Sequence, residues 1–261
     1  MSHIVLLEKK KHAGLAYRAL TDVSFARNQR LVPLLPGEVS EASHCFPIVF
    51  ARPGSAQPFA LMGLGEVNIF VGPKGRWTAP YMPLLLRNYP FSLAEVRRTG
   101  EEQHAPTAAE TQGSGGGTGG GDVMEMAIAI DEDAPHFRGR GGTPLYTAEG
   151  EPSEELRRII AALGRQFANH RAMREQLAGL ALSPVLEERH VVLSFGGREH
   201  AVSGLRVAHR EKLLAYKDES LAAWVRNGVM ELLYAHWDSL RHLRVLMEHP
   251  SCPAEARVPV Q

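Results

Sequence analysis

Residues 66–83 read EVNIFVGPKGRWTAPYMP (Glu66–Pro83), and the fold turns on what Gly72-Pro73-Lys74-Gly75 does within them. A phosphate-cradling Walker loop needs GxxxxGK[ST] between a strand and a helix, because its amides and lysine surround phosphates beside the helix amino end. Here Lys74 precedes the second glycine, no Ser or Thr follows it, and Arg76-Trp77-Thr78 does not open a helix. Two short runs, Asn68 to Val71 and Arg76 to Thr78, flank residues suited to reversing the chain. The stretch is therefore read as a hairpin turn.

Working outward, the first hundred residues read mainly as strands and turns. Phe46, Ile48 and Phe50 alternate in FPIVF, ARPGSAQP punctuates, and FALMGL resumes. Between the early strands, PGEVSEASH is read as one or two helical turns. The stretch at about 101–122, with its Gly/Ser/Thr run, has few side chains able to bury apolar area and is expected to be a flexible surface loop. It contains GxGxxG at Gly115, Gly117 and Gly120. That motif works only between a strand and a helix, whereas polar coil precedes it here and a strand follows. The strand VMEMAIAI comes next, apolar on nearly both faces and so read as central.

From Pro152 the period changes. Ser153 is a candidate N-cap, and Leu156, Ile159, Ile160, Leu163, Phe167 and His170 recur at helical spacing toward Leu177 and Leu180. VVLSF and REHAV, joined by Gly196-Gly197, predict a hairpin at about 190–203. Helical patterning returns at Glu211–Tyr216 and Glu219–Asn227, with Gly228 suited to the C′ position. A last helix, about Val229 to Glu248, carries the stripe Val229, Leu232, Leu233, His236, Leu240, Leu243 and Met247 and stops at Pro250. The fold class is α+β, with antiparallel strands in the first half and a hairpin plus helices in the second. The organisation expected is a strand-rich region over 1–150 and a mainly helical one over 151–261, integrated as one domain.

Bulk properties exclude several functions. The 261 residues hold 29 Lys+Arg against 29 Asp+Glu, so the clustered positive excess that neutralises many phosphates is missing and nucleic acid is not an expected partner. With two cysteines, Cys45 and Cys252, and no CxxC or Cys/His metal spacing, a reducing compartment is expected. The amino terminus has apolar residues before its three lysines, the reverse of a secretory signal. No apolar run approaches the roughly 18 residues of a membrane span. The expected location is cytoplasmic.

Candidate sites are few. His236-Trp237-Asp238 spells HxD, but residues two apart on a helix point about 200° from one another, so His236 is read as a core or surface histidine and Asp238 as a surface partner for His242. Asp131-Glu132-Asp133, ending the VMEMAIAI strand, is an acidic turn that could hold a cation or serve as an acid/base group, or could simply be solvated. There is no GxSxG, no HExxH, and no cysteine with an evident histidine partner. No catalytic residue, metal or cofactor is accordingly expected. Arg76, Trp77, Tyr81, Arg87 and Tyr89 form the densest aromatic and basic group and are the candidate binding surface, although proline-flanked aromatics also pack simply against a sheet.

These residues also carry a pattern. LVPLLPGEVSEASHCFPIVF, GLGEVNIFVGPKGRWTAPYMPLLLRNYPF, AIAIDEDAPHF, GTPLYTAEGEPS and SGLRVAHREKLLAYKDESLAAWVRNGVMELLYAHWDSLRHLRVL resemble, in order, the elements of the SapC family from Tyr17 to Leu246. The chain departs from the family at Val39, where an aromatic usually follows the Glu, and in its added glycine run. The resemblance implies a link to surface-layer production or export. For other members it implies gene neighbourhoods with outer-membrane receptors and oxygenase-like or halogenase-like enzymes. It implies no catalytic residue. The leading expectation is a non-catalytic accessory protein that binds a protein or peptide. The rivals are an enzyme or small-ligand carrier with a non-local site, an accessory subunit of an oxygenase- or halogenase-like enzyme, or a surface-array component.

Overall fold

The computed structural model describes residues 3–50, 54–98, 123–139, 141–195, 198–252 and 258–259. The glycine loop, the Gly196-Gly197 turn and Arg140 lie outside these residues. In chain order the elements are β1 (Ile4–Leu6), α1 (Lys9–His12), β2 (Ala16–Tyr17), β3 (Leu31–Pro33), α2 (Val39–Ser43), β4 (Ile48–Phe50), β5 (Pro58–Leu61) and α3 (Leu84–Arg87). Then come β6 (Phe91–Arg98), β7 (Val123–Asp131), β8 (Thr143–Pro144), α4 (Glu154–Ala181), β9 (Leu186–Phe195) and β10 (Arg198–Ala208). The chain closes with α5 (Arg210–Leu214), α6 (Asp218–Arg226), α7 (Val229–Ser239), α8 (Leu243–Glu248) and β11 (Val258–Pro259). Every strand pairing among the described residues is antiparallel, and the fold is α+β.

The chain forms two compact units: Met1–Arg18 with Pro90–Ile160, and Ala19–Tyr89 with Ala161–Gln261. In the first unit the sheet order is β1-β7-β6, so the doubly apolar strand is the central one. Ala129 and Ile130, which point to opposite faces, are both buried. Tyr17 packs edge-on against Phe91 at 5.1 Å between ring centres, and Phe137 joins them. Ser153 caps α4 as its sequence suggests, its hydroxyl accepting the Leu156 amide at 3.2 Å.

The second unit holds the larger sheet, ordered β11-β10-β4-β5-β3, with β9 along the other edge of β10. The 190–203 hairpin is present, Phe195 facing Arg198. The alternation expected for FPIVF gives way to burial of all three β4 residues. Ile48 and Phe50 enter the main core with Phe46, Val32 and Leu233. Val49 meets a second cluster of Phe59, Leu61, Leu243 and Leu246. The strand is covered on both faces, so neither face is free to be polar.

α7 does more than cover this sheet. Among the described residues β4 and β10 share a single register pair, Arg206 with Phe50, and on its Ile48–Ala208 side the side chains of α7 take over the hydrogen bonds. His236 is fully buried. Its Nδ1 donates to the Ile48 carbonyl at 2.6 Å, and its Nε2 accepts the Ala208 amide at 3.0 Å. Trp237 Nε1 donates to the Ala208 carbonyl at 2.7 Å, and the Ser239 hydroxyl accepts the Ile48 amide at 2.8 Å. One imidazole acting as donor and acceptor to two strands must be the neutral Nδ1–H tautomer. Of the core and surface readings of His236 the core one holds, and the ring is a stitch between strands. Asp238 pairs with Arg241 at 2.6 Å instead of with His242, because Leu240–His242 tightens to a 3-10 turn between α7 and α8. Gly228 adopts φ 83°, the left-handed conformation expected after α6.

Burial pulls the His236 pKa from 6.5 down to about 4. The unfolded chain therefore takes up a proton first as pH falls, so the stability tied to neutral His236 is full above about pH 6.5 and is lost progressively toward pH 4. Its total is ~3 kcal/mol. Chemical denaturation of wild type and His236→Gln across pH 4–7.5 measures this. The wild-type curve should lose more stability through that window than the variant, and equal acid slopes would contradict the assignment.

Candidate functional site

The Gly72–Gly75 turn closes on itself. The Gly72 amide donates to the Arg76 carbonyl at 2.8 Å, and the Arg76 amide to Pro73 at 3.2 Å. Its flanks shrink from the expected strands to one bridge, Val71 with Trp77. Lys74 lies at φ 56°, left-handed and without glycine's freedom. Gly75, at φ 69°, is pressed so closely on Asp22 and Ser24 that a Cβ would run into the carboxylate and hydroxyl. No helix follows, since Arg76 is extended.

The segment after the turn has little regular structure, yet it is firmly held. The organiser is Glu38, which ends a 3-10 turn ahead of α2 and is 4% exposed. Its Oε1 accepts the Leu35 amide at 2.7 Å, and its Oε2 accepts both the Tyr81 hydroxyl at 2.7 Å and the Leu84 amide at 2.8 Å. α3 is preceded by Pro83, whose side chain makes no capping bond. A carboxylate 46 residues upstream takes the Leu84 amide instead. Burial, followed by the hydrogen bond and negative charge of Glu38, raises the Tyr81 pKa well above the usual phenol range.

The five candidate binding residues separate into two kinds. Trp77, Tyr81 and Tyr89 are half-buried and hold the segment. Trp77 Nε1 donates to the Tyr81 carbonyl at 2.8 Å, Trp77 packs against Phe46 and Phe70, and Tyr89 stacks on Phe25 at 3.7 Å. Arg76 and Arg87 are exposed. Arg87 donates to the Met82 carbonyl at 2.8 Å and lies over the Tyr81 ring at 5.5 Å, while Leu85 beside it is 47% exposed. Glu38 was missed because its partners are 43 and 46 residues away. The only sequence signal was its place in the family-like opening.

The acidic turn lies in the first unit, and its carboxylates are engaged. Asp131 is buried and accepts the amides of His3 at 2.9 Å and Asp133 at 3.2 Å. Glu132 meets Lys11 and His12, each at 2.7 Å, and His3 at 3.1 Å. Hydrogen bonds from Lys11 and then His12 bring its pKa down to about 2. Asp133 pairs with Arg138 at 3.1 Å. Lys11 and His12 at one oxygen and His3 at the other thus occupy the positions through which Glu132 would bind a metal. Among the described residues no group of three or more His, Cys, Asp or Glu is arranged to hold a metal ion. Cys45 and Cys252 are not joined in a disulfide.

The turn geometry sets a test by substitution. Gly75→Ala should cost about 2 kcal/mol or more, through both the clash and the positive φ. Lys74→Gly should be neutral or gain up to about 1 kcal/mol by relieving the left-handed residue. Thermal unfolding with and without nucleotide reads both effects. A nucleotide-dependent rise in melting temperature that disappears in Lys74→Gly would overturn the assignment of Gly72–Gly75 as a turn.

Comparison with curated proteins and with solved structures finds no match for this chain. No helix among the described residues is long and apolar enough to cross a membrane. The family model for SapC matches residues 7–246, spanning the Glu38 opening, the Trp77–Tyr89 segment, the acidic turn and α7, and the chain belongs to the SapC family.

Proposed function

We propose that this chain is a non-catalytic cytoplasmic accessory protein whose role is to bind a protein or peptide partner through the segment Arg76–Tyr89. The carrying observation is the division of labour within that segment. Trp77, Tyr81 and Tyr89 are spent on packing, which leaves Arg76, Leu85 and Arg87 presented outward from a backbone fixed in advance. Pre-ordering a recognition segment reduces the conformational entropy lost on binding. Arginine is also among the side chains that most often anchor interfaces. Both guanidinium groups are exposed, and a guanidinium suits carboxylate or carbonyl acceptors on a partner. The tie to surface-layer or outer-membrane export and uptake rests on family membership alone.

Affinity isolation from the protein's own cells, with quantitative mass spectrometry, tests the reading. A polypeptide recovered in stoichiometric amount with wild type should be captured at least about fivefold less well by Arg87→Ala, a loss of about 1 kcal/mol or more. The melting temperature should change little. Undiminished capture by folded Arg87→Ala and Arg76→Ala would place the surface elsewhere.

A further inference from the structure

We infer that Glu38 is the positioning residue of the recognition segment: its carboxylate clip, made to the Tyr81 hydroxyl and the Leu84 amide, sets the conformation in which Arg87 is presented. This rests on the reading of Arg76–Tyr89 as the binding surface.

The geometry bears on why a carboxylate stands here. Three donors, the Leu35 and Leu84 amides and the Tyr81 hydroxyl, converge on two oxygens. A carboxylate offers acceptors on both oxygens and no competing donor. An amide of the same shape offers one oxygen and turns an NH2 toward at least one of those donors. Burying an ion is costly unless it is paired or fully hydrogen-bonded. Among the described residues Glu38 forms no ion pair, so neutral donors hold its charge. An apolar side chain could fill the same volume without that cost. What it could not do is bind two points of a distant segment at once.

The clip also reaches the outward face. Tyr81 is fixed at its hydroxyl by Glu38 and at its backbone carbonyl by Trp77. Its ring supports the Arg87 guanidinium, which is further held by the Met82 carbonyl. Leu84 opens the helical turn that ends at Arg87, and the Leu86 and Arg87 amides both return to Pro83 at 3.0 Å. Releasing Glu38 removes one hold on the Tyr81 ring and one on the start of that turn together. It leaves intact the pairing of β4 with β5, where Ile48 faces Ala60.

Glu38→Gln, Tyr81→Phe and Arg87→Ala test this, read by residue-resolved amide exchange and by affinity for the polypeptide recovered with wild type. In Glu38→Gln the Leu84 and Leu86–Asn88 amides should exchange about tenfold faster or more while the Ala60 and Leu61 amides keep their protection, and affinity should fall about tenfold. Tyr81→Phe keeps the Leu84 bond and should lie between Glu38→Gln and wild type on both measures. It serves as the primary variant if Glu38→Gln does not fold. Unchanged exchange at Leu84, or faster exchange with undiminished affinity, overturns the positioning role. Arg87→Ala separates the two levels. If it too binds normally, the recognition reading has failed. If it binds weakly while Glu38→Gln binds normally, only the clip has failed.

Discussion

A single neutral imidazole ties the larger unit together. His236 bonds the Ile48 carbonyl on β4 and the Ala208 amide on β10, where the ladder between those strands has run out. Without it two buried backbone groups would lose their partners, and each such loss costs about 1–3 kcal/mol. Trp237 and Ser239 complete the arrangement, so three side chains of α7 satisfy both polar groups of Ala208 and both of Ile48. The register of helix on sheet then follows from hydrogen bonds as well as from apolar packing, which is non-directional.

That registration carries through to the candidate surface. α2 packs on α7, and Val39 and Ala42 of α2 are buried in the same core as Leu232 and Leu233. Glu38 immediately precedes α2 and reaches across to Tyr81 and Leu84. A segment with little secondary structure is thereby fixed to the sheet and helices by one carboxylate and by the aromatic contacts of Trp77 and Tyr89. Order in the segment comes from tertiary contacts, which can be broken locally at less cost than a helix or a ladder. A surface of that kind can be pre-formed and still adjust to a bound polypeptide.

Periodic features were legible in the sequence. The central position of β7 followed from apolar residues on both faces, the hairpin from two runs around Gly196-Gly197, and α7 from its 3.6-residue stripe. Features that depend on chain-distant partners were not. Nothing local marks Glu38 as the anchor of Tyr81, 43 residues on, or marks Lys11 and His12 as the partners of Glu132. The flanks of Gly72–Gly75 looked like strands because short apolar runs fit strand and packed loop equally. Only the contacts of Phe70 and Trp77 with Phe46 decide for the loop. At Asp238 helical spacing pointed to His242, but the chain tightens at Leu240–His242 and Arg241 takes the carboxylate.

The functional account comes down to what occupies the chain in its own cell: a polypeptide held at Arg76–Tyr89, or a small molecule held elsewhere. Native mass spectrometry of the protein isolated gently from that cell distinguishes them most directly. The account predicts a complex whose added mass is a second polypeptide, dissociated by raised salt because arginines contribute to the contact. A chain that carries instead a stoichiometric metabolite or metal ion, with no polypeptide, would contradict it.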